Sequence, residues 1–512
     1  MAKEIKKILL IVPRNAAYLI EESGNINFGK IFPLGIAYVA GALEQAGYTV
    51  SVLDAAAEGY DQQIKIDNEH VRVGLSDDQV IARIKQANPD MVGISNLFSM
   101  QINEAQAIAR LVKRVSPEIV TVMGGANPSV LPEKVMENDC VDFVVIGEGE
   151  KTMVELVARL NKQEALVDQP AIGFRLSNNA IQINRQMNYT ENIDDIPFPA
   201  HHLFDIENYF GAMAVHGRRE TERFMPVITS RGCPMKCTFC TAHNVWGKKY
   251  RARSPERVVA ELKLLKEKYG VREIIFEDDN ITLDKARAEK IFDLMVAENL
   301  ELLWTVPNGI ALFTVDENLL NKMKSSGCYK VNFAVESGSQ RVLDQVIKKP
   351  LNLTKLTPLI KYARNIGLQV GAFFIVGLPG ETLNEIRESF RYMRRHKLFM
   401  ANISVAMPLP GSELYKQVID NHYFINDTAV RDLISLHPRS FLIQTPDWTS
   451  EQLHALLRYE TAKTKIYIIL TSPSLLYDFI TRNGIKYIFY RIGYELKSLW
   501  QGFGAKKTQL AK

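Results

Sequence analysis

The chain has 512 residues, a formal net charge of +4, and 46% hydrophobic and 23% charged residues. That length exceeds one ordinary core and predicts two to four domains, while so small a charge does not mark a nucleic-acid binder. Five cysteines are too few for a disulfide framework and point to a reducing compartment, with thiolates kept for metal or catalysis.

Lysines and a short apolar run open the chain, but Ile8–Val12 is too short for a signal-peptide core, so the reading is a first strand. Strands and helices then alternate: "KILLIVP", "TVSVLDA", "MVGISN", "EIVTVMGG" and "DFVVIGEGE" read as strands, and "LGIAYVAGALEQAGY", "DQVIARIKQANPD" and "NEAQAIARLVKRVSP" as helices. Continuous Val/Ile runs between helices indicate a parallel sheet covered on both faces. Residues 1–160 are therefore expected to form a doubly wound domain with its ligand at the carboxyl ends of the strands. Residues 161–223 show weak periodicity and carry Pro197 and Pro199, and are expected to be a linker with a few strands of its own. From 224 to 430 the alternation resumes, with strands "FMPVITS", "EIIFEDD", "LLWTVPN", "KVNFAVES", "QVGAFFIVG" and "ANISVAMP". About six βα units predict a partial or full (β/α) barrel, with chemistry at the C-terminal strand ends. Ser254 and Pro255 are placed to start one of its helices.

Residues 431–512 are expected to be a small, mainly helical region. Over 461–512 there are nine Lys/Arg against two acids, interleaved with aromatics such as Tyr467, Tyr477, Phe489 and Trp500. Such a pattern suits either a helix lying on an anionic membrane surface or a helical cap on the barrel with its basic face in water. No stretch is long and apolar enough for a spanning helix. The expected location is cytoplasmic, with the tail as a candidate contact to the inner membrane face.

Cys233, Cys237 and Cys240 crowd into "RGCPMKCTFC", spaced C-x3-C-x2-C after a strand. Structural zinc takes four protein ligands, and only His243, three residues on, could complete a Cys3His set; a disulfide would strand one cysteine. The other reading is a [4Fe–4S] cluster on three thiolates, with one iron left open to a small chelating molecule. Arg251 and Arg253 either neutralise a carboxylate or face solvent. Cys328 and Cys140 read as buried packing residues.

"CPMKCTFC", with Phe239 before the last cysteine, resembles the CxxxCxxC signature of radical S-adenosylmethionine (SAM) enzymes. The resemblance implies that SAM chelates the open iron and is cleaved to a 5′-deoxyadenosyl radical. It extends to "FEDDN", where Glu277, Asp278 and Asp279 resemble contacts to the SAM amine, with helix capping as the alternative. It extends also to "AVESGS", where Glu336 resembles the acid at the ribose or methionyl end. "FFIVGLPGE" follows, with Ile375, Gly377 and Glu381, and "MPLPGSELY" resembles the turn near the adenine.

The first domain lacks G-x-G-x-x-G after its first strand, which disfavours a dinucleotide. Its "FPLGIAYVAGALEQAGY", "GGANPS" and "GEGE" resemble the cobalamin-binding domain found ahead of many radical SAM modules. The resemblance implies corrin contacts at Pro33, Leu34, Gly35, Gly124, Gly125, Gly147, Glu148 and Gly149, with Ser95, Asn96, Leu97 and Phe98 beneath it. The cobalt-ligating D-x-H-x-x-G motif is missing: no histidine occurs between Met1 and His70. A lower face without histidine is the expectation, with a cofactor-free lid as the alternative.

Together these imply a cobalamin-dependent radical SAM methyltransferase acting on an unactivated carbon of a small-molecule or lipid-like substrate. An external one-electron reductant of flavodoxin or ferredoxin type is implied, and no nucleic acid. The alternatives are a cyclase or oxidase with the same cofactors and no methyl transfer, as in enzymes resembling the anaerobic porphyrin ring cyclase, and a non-catalytic cobalamin or iron–sulfur sensor.

Overall fold

The structure is a computed structural model that describes residues 4–18, 30–66, 70–211, 219–310, 312–425 and 441–472. Its first sheet starts with β1 (Lys7–Val12), whose "KILLIV" is buried apart from its ends because helices cover both faces. Next in chain order come β2 (Asn15–Tyr18), β3 (Thr49–Asp54), β4 (Gln63–Lys65), β5 (His70–Val73), β6 (Met91–Ser95), β7 (Val120–Gly124), β8 (Phe143–Val145), β9 (Ile172–Arg175) and β10 (Ile181–Asn184).

Seven of these form one sheet in the order β10-β9-β8-β7-β6-β1-β3, while β2, β5 and β4 make a small separate sheet. β3, β1, β6, β7 and β8 run parallel, and β9 and β10 add antiparallel edges. One core lies on each face. Helices Leu34–Gln45 and Gly149–Lys162 contribute Ile36, Leu43 and Leu156 to the first. Helices Asp77–Ala87 and Ile102–Val115 contribute Val80, Ile84 and Ile108 to the second. This is the doubly wound arrangement expected. Strand order reverses between β1 and β6, and such switch points open a crevice at the carboxyl edge.

The segment expected to be a linker supplies β9 and β10 to that sheet. Further on, Tyr209 donates its hydroxyl to Asp54 Oδ2 at 2.7 Å in a buried contact, which fastens it to the end of β3.

The second domain contains β11 (Phe224–Val227), β12 (Ser230–Arg231), β13 (Arg251–Ala252), β14 (Glu273–Phe276), β15 (Leu303–Ile310), β16 (Cys328–Glu336), β17 (Gln369–Val376) and β18 (Met400–Val405). Six parallel strands, β11-β14-β15-β16-β17-β18, form an open sheet, the partial (β/α) barrel. Its core centres on Trp304, stacked on Phe292 at 4.8 Å and edge-on to Phe276 at 5.3 Å. Helix Pro255–Tyr269 starts as expected: the Ser254 side chain accepts from Arg257 N, and Pro255 is at its first turn. Cys328 is buried in this core, and Cys140 packs against the first domain's core.

Helix Ser450–Thr471 starts in a Thr449–Gln452 capping box and lies on helix Leu383–Arg395, where Arg394 Nη1 reaches Glu460 and Thr464, each at 2.7 Å. Among the described residues no helix is long and apolar enough to cross a membrane. Most of the basic, aromatic stretch expected to meet a membrane, residues 473–512, lies outside the described residues.

Candidate active site

The cysteine loop is the excursion between β12 and β13, which pair antiparallel with Arg231 opposite Arg251. Gly232 opens it at φ +83°; a Cβ there would stand 2.2 Å from Lys249 O, so this turn requires glycine. In the middle, Thr238 donates its N–H to Ile347 O (3.1 Å) and its hydroxyl to Val346 O (3.0 Å), and accepts from Leu414 N (2.8 Å). Phe239 packs on the barrel core.

Cys233, Cys237 and Cys240 are half-buried. Burial pushes the Cys237 thiol up to about 12; Lys349 pulls the other way, and Cys240, Glu336 and Cys233 add to the rise. Cys233 and Cys240 are raised by burial first as well. Three mutually interacting thiols on one braced loop fit a cluster, whose binding must release their protons. Among the described residues no three His, Cys, Asp or Glu converge closely enough to hold a single metal ion; a four-iron cube is wider than one ion.

Strand ends bring the candidate acids round this loop, and they divide. Asp278, after β14, is buried and accepts from Thr229 N (3.1 Å), Thr229 Oγ1 (2.7 Å) and Ser230 Oγ (2.5 Å). Its carboxylate holds the β11–β12 connection together. Glu277 is half-buried and accepts from Asn308 Nδ2 at 3.1 Å. Asp279 is exposed, yet protein on its flank, and then the Asp278 charge, push its carboxyl up to about 6. Its own charge raises the Cys233 and Cys240 thiols, which places it toward the loop.

Glu336 ends β16 at φ +66°, after a register shift between Ala334 and Glu336. A non-glycine residue held there is strained. Lys349 Nζ bonds both Glu336 Oε1 (2.9 Å) and Ala334 O (2.7 Å). Ile375 is nearly buried, and Glu381 wholly so. Glu381 Oε2 accepts from Gly377 N (2.8 Å) and Leu378 N (3.3 Å), while Oε1 has no partner among the described residues. Burial raises this carboxyl to about 8. The group fastens the turn after β17, and Gly377 there has φ +79°.

At the carboxyl edge of the first sheet, Asn96 is buried and accepts from Asn127 Nδ2, and Gly125, at φ +121°, passes so close that a Cβ would lie 2.6 Å from Asn96 O. Ser129 Oγ joins the neighbouring turns, donating to Gly125 O (2.7 Å) and accepting from Gly147 N (2.8 Å). On this platform Leu97 and Phe98 stand 51% and 56% exposed, with Met100 beside them at 39%. Ser95 ends β6, and Gly124 ends β7. Pro33 and Leu34 begin helix Leu34–Gln45, and next to them Gly35 has open space where a Cβ would be. An apolar ledge beside close-passing backbone fits a broad, flat corrin. After β3, Asp54, Ala56 and Gly59 keep the D-x-H-x-x-G spacing with alanine in the histidine position, as the missing histidine implies.

Glu148 follows β8 at the same sheet edge, at the N-cap of helix Gly149–Lys162. It is buried, and its carboxylate receives Arg251 Nη1 (3.0 Å) and Nη2 (2.5 Å). Glu150 receives Arg231 Nη2 at 2.6 Å. Arg253 is buried too, paired with Glu261, so neither Arg251 nor Arg253 faces solvent. Glu150 and Arg231 escaped the sequence reading, although Arg231 begins the cysteine motif itself.

A doubly wound domain with an apolar ledge at its carboxyl edge, set against a barrel with a three-cysteine loop, has the layout of a cobalamin-type radical SAM enzyme. Residues 28–157 match the B12 binding domain and residues 227–393 the Radical SAM superfamily. The chain is 38% identical over 417 residues to cytidylyl-2-hydroxyethylphosphonate methyltransferase of Streptomyces wedmorensis, covering 76% of this chain and 78% of that one. It is 30% identical over 482 residues to an uncharacterized methyltransferase of Pyrococcus horikoshii, covering 94% and 96%. The cobalamin-dependent SAM radical enzyme OxsB, in a structure with aqua-cobalamin and SAM bound, superposes with a TM-score of 0.68 at 15% identity, over 99% of this chain and 80% of that one; at that identity the likeness shows the fold. The chain belongs to the cobalamin-dependent radical SAM methyltransferases, enzymes whose cofactors are cobalamin, SAM and a [4Fe–4S] cluster.

Proposed function

We propose that the protein methylates an unactivated carbon of a small molecule held between the Leu97–Phe98 ledge and the cysteine loop. The observation that carries this reading is that one seam joins both: Glu148 and Glu150, beyond β8, grip the two residues that bracket the cysteine loop. Along the same seam runs a cavity of about 440 Å³, lined from the first domain by Ser129 and Ile146, from the connecting segment by Met187, from beyond the cysteines by His243 and Asn244, and from the barrel by Pro410.

Cys233, Cys237 and Cys240 would hold the cluster, and Leu97, Phe98 and the Gly124–Gly125 turn the corrin. Bound there, the cluster would supply the electron for reductive cleavage of SAM, and cobalamin would carry the methyl group. Asp279 and Glu336, both toward the cysteine loop, would orient the polar end of SAM. An external one-electron reductant of flavodoxin or ferredoxin type completes the cycle. The relative at 38% identity, named for a cytidylylated phosphonate, supports a polar small-molecule substrate; a lipid-like one draws only on the composition of residues 461–512.

The test is anaerobic incubation of reconstituted protein with methyl-labelled SAM, reductant and cytidylyl-2-hydroxyethylphosphonate. Label in the recovered substrate, with 5′-deoxyadenosine formed alongside, supports the reading. With extracts as substrate source, ring closure or oxidation without label transfer to any product would overturn methyl transfer as the reaction.

A further inference from the structure

The geometry points to Glu148 and Glu150 as positioning residues that hold the cysteine loop in register with the corrin ledge through Arg231 and Arg251. The inference rests on the reading of residues 233–240 as the cluster's loop. The two arginines are register partners at the neck of that loop, so fixing both fixes both of its ends. The two acids flank the start of helix Gly149–Lys162, directly beyond β8, at the same carboxyl edge as the ledge, which follows β6 two strands away.

The contacts form one continuous network. Arg251 meets Glu148 through both terminal nitrogens, Arg231 meets Glu150 at 2.6 Å, and Arg231 Nη1 stands 3.4 Å from Glu148 Oε2. All four side chains are between 1% and 8% exposed. Arg251 also donates to Thr190 O (2.8 Å) and Trp246 O (2.9 Å), so it ties the connecting segment and the far side of the loop to the same carboxylate. Aromatic faces cover the guanidinium groups: Tyr189 at 4.6 Å from Arg251, and Trp246 and Tyr38 at 4.9 and 5.2 Å from Arg231.

Two acids and two arginines cancel in charge. Buried ion pairs of this kind give little net stability over an apolar replacement, because desolvation offsets attraction. What they do supply is direction, since a bidentate guanidinium–carboxylate pair tolerates one geometry. Here that direction joins the segment that carries the cysteines to the sheet edge that carries the ledge. The helix N-terminus beneath Glu150 favours the acid there.

Hydrogen–deuterium exchange on the full chain without cofactors tests this in wild type, Glu148→Gln and Arg251→Lys. The lysine keeps the charge and loses the fork. The expected result is that amides of residues 232–250 exchange at least about tenfold faster in both variants, while those of β17 keep their rate. Unchanged protection of 232–250, or acceleration spread evenly through both domains, would overturn the inference, the latter because the network would then be a general stabiliser. A second readout uses reconstituted protein: pulsed electron paramagnetic resonance of the dipolar coupling between Co(II) corrin and reduced cluster. A single narrow distance in wild type should broaden in Arg251→Lys with iron and corrin contents unchanged, and an unaltered width would also count against it. Absence of methylated product from wild type would remove the proposed function and leave the exchange result standing.

Discussion

Trp448 donates its indole N–H to the main-chain carbonyl of Glu381 at 2.9 Å. The C-terminal segment thereby closes over the turn that follows β17: Trp448 is 1% exposed, and Leu453, from the helix it precedes, fills the space beside Gly377. Trp448→Phe keeps most of the bulk and loses the hydrogen bond, and should cost about 1 kcal/mol. Trp448→Ala should cost about 3–5 kcal/mol. Denaturant melts measure both. Calorimetric titration should show SAM binding weakened in Trp448→Phe; affinity equal to wild type would mean that the turn does not depend on this cap.

Glu381 sits at the base of the same turn and predicts a pH effect. Its carboxyl ionises near 4.5 ordinarily and near 8 when folded, because burial penalises the charge. A raised folded-state value means that the native chain binds the extra proton, so its contribution to stability falls as pH rises from about 4.5 to about 8 and then levels. Glu381→Gln has no such proton to lose. Its melting temperature relative to wild type should rise between pH 5.5 and about 8 and then level. A gap constant across that range would show that the carboxyl does not titrate there.

The adjacent acids Asp278 and Asp279 should separate cleanly. Asp278→Asn converts one acceptor oxygen into a donor against Thr229 and Ser230 and should cost about 1–3 kcal/mol. Asp279 makes no hydrogen bond or ion pair among the described residues, and its carboxyl is raised by burial and by the Asp278 charge, so Asp279→Asn removes a charge the fold disfavours and should not lower stability, while weakening SAM binding. Melts and SAM titration on the two variants check this, and equal stability losses would refute the division.

How much of this was legible beforehand follows from range. Doubly wound and barrel layers are written in local periodicity, and the cysteine loop in spacing eight residues long, so both could be read. Whether Asp278 or Asp279 faces the loop depends on how β14 leaves the sheet, and adjacent identical side chains carry no sign of it. Arg251 finds Glu148 103 residues away, and no local pattern records that partner. The edge strands β9 and β10 join the first sheet for the same reason: an antiparallel edge is chosen by the sheet it meets, and the short runs themselves look like linker. Trp448 lies beyond the last recognisable motif, in a stretch where composition alone was informative.

The ledge gives a prediction that separates cofactor binding from folding. Leu97 and Phe98 are more than half exposed, so Leu97→Asp and Phe98→Asp remove little buried area and should leave the melting temperature within a few degrees. Both put a desolvated charge under an apolar ring system, which should lower corrin uptake at least about tenfold. Corrin absorbance after gel filtration measures it, and full uptake by the double variant would relocate the corrin away from this edge.

Gly232 offers the sharpest single-atom test of the cysteine loop. Alanine there faces both a φ of +83° and a carbonyl oxygen 2.2 Å from its Cβ, and that oxygen belongs to the backbone at Lys249, which cannot swing aside as a side chain would. The loop must open at its neck, so Gly232→Ala should lose iron and sulfide after anaerobic reconstitution. Because the neck is braced from the first domain rather than from the barrel core, the global melt should fall by less than the loss of a core residue would cause. Corrin uptake, which depends on the other sheet edge, should stay near wild type. Iron, sulfide and corrin are quantified on the same sample. Full iron content in Gly232→Ala would show that the turn can relax, and that the glycine is not what shapes the neck of the loop.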